Sequence, residues 1–100
     1  MKLVRFHPSA FAELEAAASN YEGQRSGLGT LFLAEARNSQ ERIAELPAAA
    51  RRIRGSIRRR RIHKFPYFLY YSVEADEIVV IAVAHRRRQP EYWANRLKDT

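Results

Sequence analysis

An unbroken apolar run, Ile78-Val79-Val80-Ile81-Ala82-Val83-Ala84, constrains this chain more than any other feature. A run of that length with no polar alternation reads as a central strand covered on both faces. Three further strands fall around it. Tyr67 to Val73 is aromatic and β-branched, and the turn Glu74-Ala75-Asp76-Glu77 joins it to the apolar run as a hairpin. Ile57 to Lys64 is a strand built mostly of cations, and Leu3, Val4 and Phe6 open the chain as a short strand closed by His7-Pro8. Pro66 removes a ladder donor, so it belongs at the start of a strand or opposite a bulge.

Helical periodicity occupies the space between the first strand and the rest. Pro8 suits the first position of a helix, and Phe11, Leu14, Ala18 and Tyr21 recur at helical spacing behind it. Gly23, Gly27 and Gly29 interrupt the pattern. A second helix follows, with Leu28, Phe32, Ala36, Ile43 and Leu46 inward, and Pro47 stops it. Ala48 to Ser56 reads as a loop, and a segment from Pro90, carrying Tyr92, Trp93 and Leu97, reads as one short helix. The order β-α-α-β-β-β favours an α+β fold: a helix hairpin on one face of a mainly antiparallel four-stranded sheet, in one domain over residues 1–100.

Charge is distributed as unevenly as apolarity. The net charge is +7, yet Pro8 to Leu46 carries six acids against three bases, so the excess is local to the second half. No acid lies between Glu45 and Glu74, whereas Arg51, Arg52, Arg54, Arg58, Arg59, Arg60, Arg61 and Lys64 all fall in that gap. Arg86-Arg87-Arg88 follows the apolar run. Such density repels itself and is best stabilised by an anionic partner, either a nucleic-acid backbone or an acidic protein. Strand alternation places Leu69, Tyr71 and Val73 toward the helices, and Phe68, Tyr70 and Ser72 away from them. With Ile62 in the core, Arg59, Arg61 and His63 join that outer face, which is expected to be open. Cations beside aromatics suit a single nucleic-acid strand, and they suit equally an acidic protein surface with an apolar centre.

Several chemistries are disfavoured. The chain has no cysteine, and three scattered histidines offer no metal-ligand spacing, so neither disulfides, a metal nor a cofactor is expected. No serine sits in a nucleophile elbow, no glycine-rich phosphate loop follows a strand, and no carboxylate pair lies in the basic region. His85 at the strand end is a general acid or base, or a backbone-bonded structural residue. Trp93 reads as core, and Tyr92 as core or contact. With no apolar stretch of signal-peptide or membrane-span length, a cytoplasmic chain without a membrane partner is expected.

The blocks Phe6-His7-Pro8-x-Ala10, Tyr21-Glu22, Gly27-Leu28-Gly29, Lys64-Phe65-Pro66-Tyr67-x-x-Tyr70-Tyr71 and Ala84-His85-Arg86-Arg87-x-x-Pro90-Glu91-Tyr92-Trp93 resemble the RelE/ParE superfamily of type II toxin–antitoxin toxins. The resemblance implies a small basic bacterial toxin, a plasmid-stabilization type of module, and a cognate antitoxin encoded beside it in a higher-order heteromer. Phe11, Leu14, Arg51, Arg52 and Arg54 are the expected antitoxin contacts. In the RelE-like branch, which cuts messenger RNA on the ribosome, the matching positions are Arg59 and Arg61 on the sheet, Arg86 at the strand end and Tyr92. His85 is a further proton-transfer candidate. That branch also has an arginine where this chain has Phe68. ParE-like members instead poison DNA gyrase by binding, and the F-P-Y-x-x-Y-Y and P-E-Y-W forms look closer to them. The resemblance therefore implies a gyrase-binding toxin that is not an enzyme. Its binding face would comprise Arg58, Arg59, Arg61, His63, Phe68, Tyr70, Arg86, Arg87, Arg88, Tyr92 and Trp93. A ribosome-dependent endonuclease, or a degenerate member without toxicity, are the alternatives.

Overall fold

The computed structural model describes residues 2–99. Strands β1 (Leu3–Phe6), β2 (Arg51–Arg54), β3 (Ile57–Arg61), β4 (Tyr67–Val73) and β5 (Glu77–His85) form one sheet in the order β1-β5-β4-β3-β2. Helices α1 (Pro8–Gln24) and α2 (Leu28–Glu45) lie between β1 and β2 in sequence, and a 3₁₀ segment (Ala94–Asp99) ends the described chain. The apolar run is the central strand: β1 pairs with it in parallel and β4 antiparallel, and Ile78 through Ala82 are fully buried. All other pairings are antiparallel, so the α+β architecture matches the one read from sequence.

Local chemistry explains the helix hairpin. His7 caps α1, its Nδ1 accepting the Ser9 N–H at 3.0 Å, with Pro8 in the first turn. Gly27, at φ 88°, begins α2 with no side chain to cap it, and the Glu22 carboxylate does so instead. Glu22 accepts the N–H groups of Gly27 at 2.9 Å and Gly29 at 3.0 Å, bonds that hold its carboxyl below the usual range. Gly29 sits where the helices touch: a Cβ there would lie 2.5 Å from the Ala18 carbonyl oxygen. With Ala10, Ala17 and Ala18 opposite Phe32, Ala36 and Ile43, the pair approaches closely enough to cover Leu69, Tyr71, Val80 and Val83. Tyr21, Phe32, Phe65 and Tyr67 close this core as a cluster with ring centroids 4.9–6.0 Å apart.

Four features depart from the sequence reading. The expected loop at 48–56 contains strand β2, which makes the sheet five-stranded. It pairs Arg51 with Arg59 and Arg52 with Arg58 across a turn where Gly55 has φ 53°. Like charges directly opposite oppose pairing, so no propensity pattern betrays this strand, while cations on a sheet edge discourage further strand addition. Second, Leu46 is 59% exposed, because Pro47 stops α2 before that residue can turn inward. Third, the C-terminal segment is no helix from Pro90; it turns through Glu91, at φ 58°, and only Ala94–Asp99 is 3₁₀.

The fourth departure bears on function. The sheet face away from the helices is not open throughout. A bulge opposes Tyr70 to Ala82 and Tyr71 to Val80, leaving Ile81 as the extra residue. Ile81 and Ala82 therefore both join Val79 and Ile57 in a second core, and Trp93, 1% exposed, seals it with Tyr70, Ile53 and Leu97 at its margin. The central strand is thus covered on both faces, by the helices on one and by the C-terminal segment on the other.

Candidate binding face

Alternation along β3 divides its cations between two surfaces. Arg59 is opposite Tyr70 and Arg61 opposite Phe68, which puts both on the face shared with the second core. Arg58 and Arg60 point to the helix side. Arg58 donates from Nη1 to the Ala50 carbonyl at 2.8 Å, and Arg60 borders a cleft beside Glu35, Glu41 and Glu45 of α2. Arg58, expected on the binding face, is therefore excluded from it by strand parity. His63 is corrected as well: it lies past the end of β3 in a turn and borders the α2 cleft with Lys64.

What remains on the outer face is compact. The Arg59 guanidinium stacks 4.2 Å from the Phe68 ring centroid and reaches the Tyr70 hydroxyl at 3.4 Å. Phe68, Tyr70 and Trp93 continue as a chain of rings, at 6.4 and 5.4 Å between successive centroids. Exposed Arg51 lies next to Arg59 by register. Arg61 lies opposite Phe68, but its Nε donates to the Phe65 carbonyl at 3.1 Å and it also borders the α2 cleft, so it bridges the strip and that cleft. Arg54, at the margin, is already paired with Glu91. A cationic and aromatic strip thus begins where the cover of Trp93 stops.

Arg86, Arg87 and Arg88 are exposed in the turn after β5. Arg86 is anchored by its N–H to the Pro66 carbonyl at 2.7 Å, and His85 organises the turn. Its carbonyl accepts the Arg88 N–H at 2.9 Å and its Nδ1 accepts the Arg87 N–H at 3.0 Å. The backbone-bonded reading of His85 is the observed one. Tyr92 is tied down more firmly still. Its hydroxyl donates to Glu13 Oε2 at 2.7 Å, and Arg88 lies 4.0 Å above its ring. Burial, then the bond to Glu13, pushes the Tyr92 phenol far above its ordinary value, so it keeps its proton.

Glu13 and Arg96, which sequence reasoning missed, lie at the centre of this arrangement. β1 stops pairing with β5 at Val80, and side chains take over that edge. Glu13 Oε1 accepts the Val83 N–H at 3.0 Å, while Arg96 donates to the Ile81 carbonyl at 2.9 Å and to both Glu13 oxygens at 2.8 and 2.9 Å. Burial works to raise the Glu13 carboxyl, but the bonds from Arg96, Tyr92 and Val83 outweigh it and hold the carboxyl below its usual range. Donating to Glu13 correspondingly raises the Arg96 guanidinium above its ordinary value. Only a small-residue neighbourhood on α1, Ala10, Ala16 and Ala17, hints in the sequence that something approaches there.

The expected antitoxin contacts do not form one patch. Phe11 is 50% exposed beside Phe6 at the β1 edge, Leu14 packs partly into the core, and Arg51, Arg52 and Arg54 occupy the opposite edge of the sheet.

A family match, read with this helix hairpin on a five-stranded sheet, identifies the chain as a toxin of the RelE/ParE superfamily. The profile of the family described as "ParE toxin of type II toxin-antitoxin system, parDE" matches residues 4–90, and the chain belongs to that family. A solved structure titled "Chromosomal ParDE TA system from P. aeruginosa" shares the fold. It has a TM-score of 0.61 and 17% identity over 85% of this chain and 96% of that one. No curated protein sequence matches.

Proposed function

We propose that this toxin arrests growth by binding DNA gyrase in the cytoplasm, without cutting nucleic acid, and that an acidic antitoxin neutralises it. The observation that carries this reading is the state of Tyr92: its hydroxyl is committed to Glu13 and its proton is retained, so it is not free to move protons at a scissile bond. Phe68 supports the same reading. The nuclease branch resembled by this chain has an arginine there, whereas here a ring forms the floor for Arg59. A stacked cation on an aromatic floor is a binding surface, and its energy comes from burial and charge complementarity rather than proton transfer.

Purified toxin in a gyrase supercoiling assay tests the target: inhibition with trapped, cleaved DNA is the expected result. Intact supercoiling together with messenger-RNA cuts on induction would place the chain with the ribosome-dependent endonucleases instead. Neutralisation is tested separately by co-expressing the neighbouring open reading frame. The expected complex weakens with added salt, because the uncovered cations are exposed.

A further inference from the structure

A smaller cleft, of about 230 Å³, opens between α1 and the C-terminal end of β5, away from the outer strip. Its polar walls are unbalanced. The Glu13 carboxylate borders it but is saturated, with two donors on each oxygen, and the Tyr92 hydroxyl proton is among them. The polar side chains left over include Arg88, His85 and Asn20, with no second carboxylate among the described residues that line the cleft. Arg88 borders the cleft and forms no ion pair among the described residues. His85 borders it too, and because Nδ1 accepts the Arg87 N–H, a neutral ring carries its proton on Nε2. The ring is steadied edge-on against Tyr67 at 5.3 Å. Asn20, one helical turn beyond Ala16, adds an amide from the α1 wall.

A cleft whose one carboxylate is saturated, and whose other side chains offer a guanidinium, an imidazole N–H and an amide, favours an anion. The neighbouring Arg86 and Arg87 add positive potential, and the Arg88 guanidinium, stacked 4.0 Å over the Tyr92 ring, keeps the N–H fork that suits the oxygens of a tetrahedral anion. We propose that this cleft binds a phosphate group, held by Arg88, His85 Nε2 and Asn20. The site is distinct from the outer strip and stands whichever macromolecule the toxin attacks.

The test is an NMR titration of the full chain with inorganic phosphate, at ionic strength held constant with chloride. The expected result is saturable shifts confined to the Asn20 amide, the His85 ring and Arg88. Arg88→Ala weakens binding about tenfold or more, as loss of a charge-assisted hydrogen bond does, while Arg37→Ala, at an exposed α2 position outside the cleft lining, leaves it unchanged. A short oligothymidylate that produces the same shifts at lower concentration identifies the phosphate as a nucleic-acid backbone group. One that leaves them unmoved identifies free phosphate as the ligand. Linear shifts spread over all arginines, equal binding of acetate, or equal weakening by Arg37→Ala would overturn the proposal.

Discussion

The two sides of the sheet are finished in different ways. On the helix side, Leu69, Tyr71 and Val80 are wholly buried under two long helices, and an aromatic cluster closes the end. On the outer side, one turn-rich segment hung on Trp93 covers Val79, Ile81 and Ile57 and then stops. Past that margin the same strands carry Arg59, Arg61 and Phe68 at or near the surface. A single strand, β3, serves both roles: Ile57 lies under the cover, and the next two same-face positions, Arg59 and Arg61, are cations. Stability and binding are thus separated by where a short segment ends, not by which element is involved.

The largest change that tests this contrast is Trp93→Ala. Truncating a fully buried aromatic costs about 3–5 kcal/mol, so denaturant unfolding should reveal a severely weakened chain. A loss under about 1 kcal/mol would mean that the outer side is no true core. Gly29→Ala attacks the opposite side, where the new methyl meets the Ala18 carbonyl; we expect about 2–3 kcal/mol of lost stability from overpacking.

Glu13→Ala comes next. It leaves Arg96, Tyr92 and the Val83 N–H without their acceptor, an expected loss of about 2 kcal/mol read by thermal unfolding. Its pH signature has a definite sign. The folded carboxyl lies below its unfolded value, so its contribution is complete above the ordinary carboxylate range and disappears as pH falls through the lowered folded value. Wild type should therefore lose stability on acidification more steeply than Glu13→Gln. Equal slopes would remove Glu13 from its central position. The smallest stability effect belongs to Arg59→Ala, no more than about 1 kcal/mol for a half-exposed stacked cation, yet toxicity should fall sharply.

Much of this arrangement was legible in the sequence, in proportion to how local its cause is. The central strand is written in seven adjacent residues, and the parity of Phe68 and Tyr70 follows from its neighbour. His7-Pro8 states its own cap. Strand β2 was hidden because its stability comes from pairing with β3, against the like charges that its residues bring together. The cover of the outer face was hidden because Pro90 to Trp93 has no periodicity, and the contacts that hold it lie across the fold. Glu13 and Arg96 meet across 83 positions, which no spacing rule reaches. Arg58 was misplaced for a simpler reason: parity alone puts it with Ile62, on the helix side.

The most direct measurement is growth on induction of an Arg59→Ser, Arg61→Ser, Phe68→Ser variant, made alongside its thermal melt. If the uncovered outer strip is the working surface, the variant folds with a melt close to wild type and no longer arrests growth. A variant that melts normally and still arrests growth as fully as wild type would contradict this, and would move the toxic surface elsewhere on the molecule.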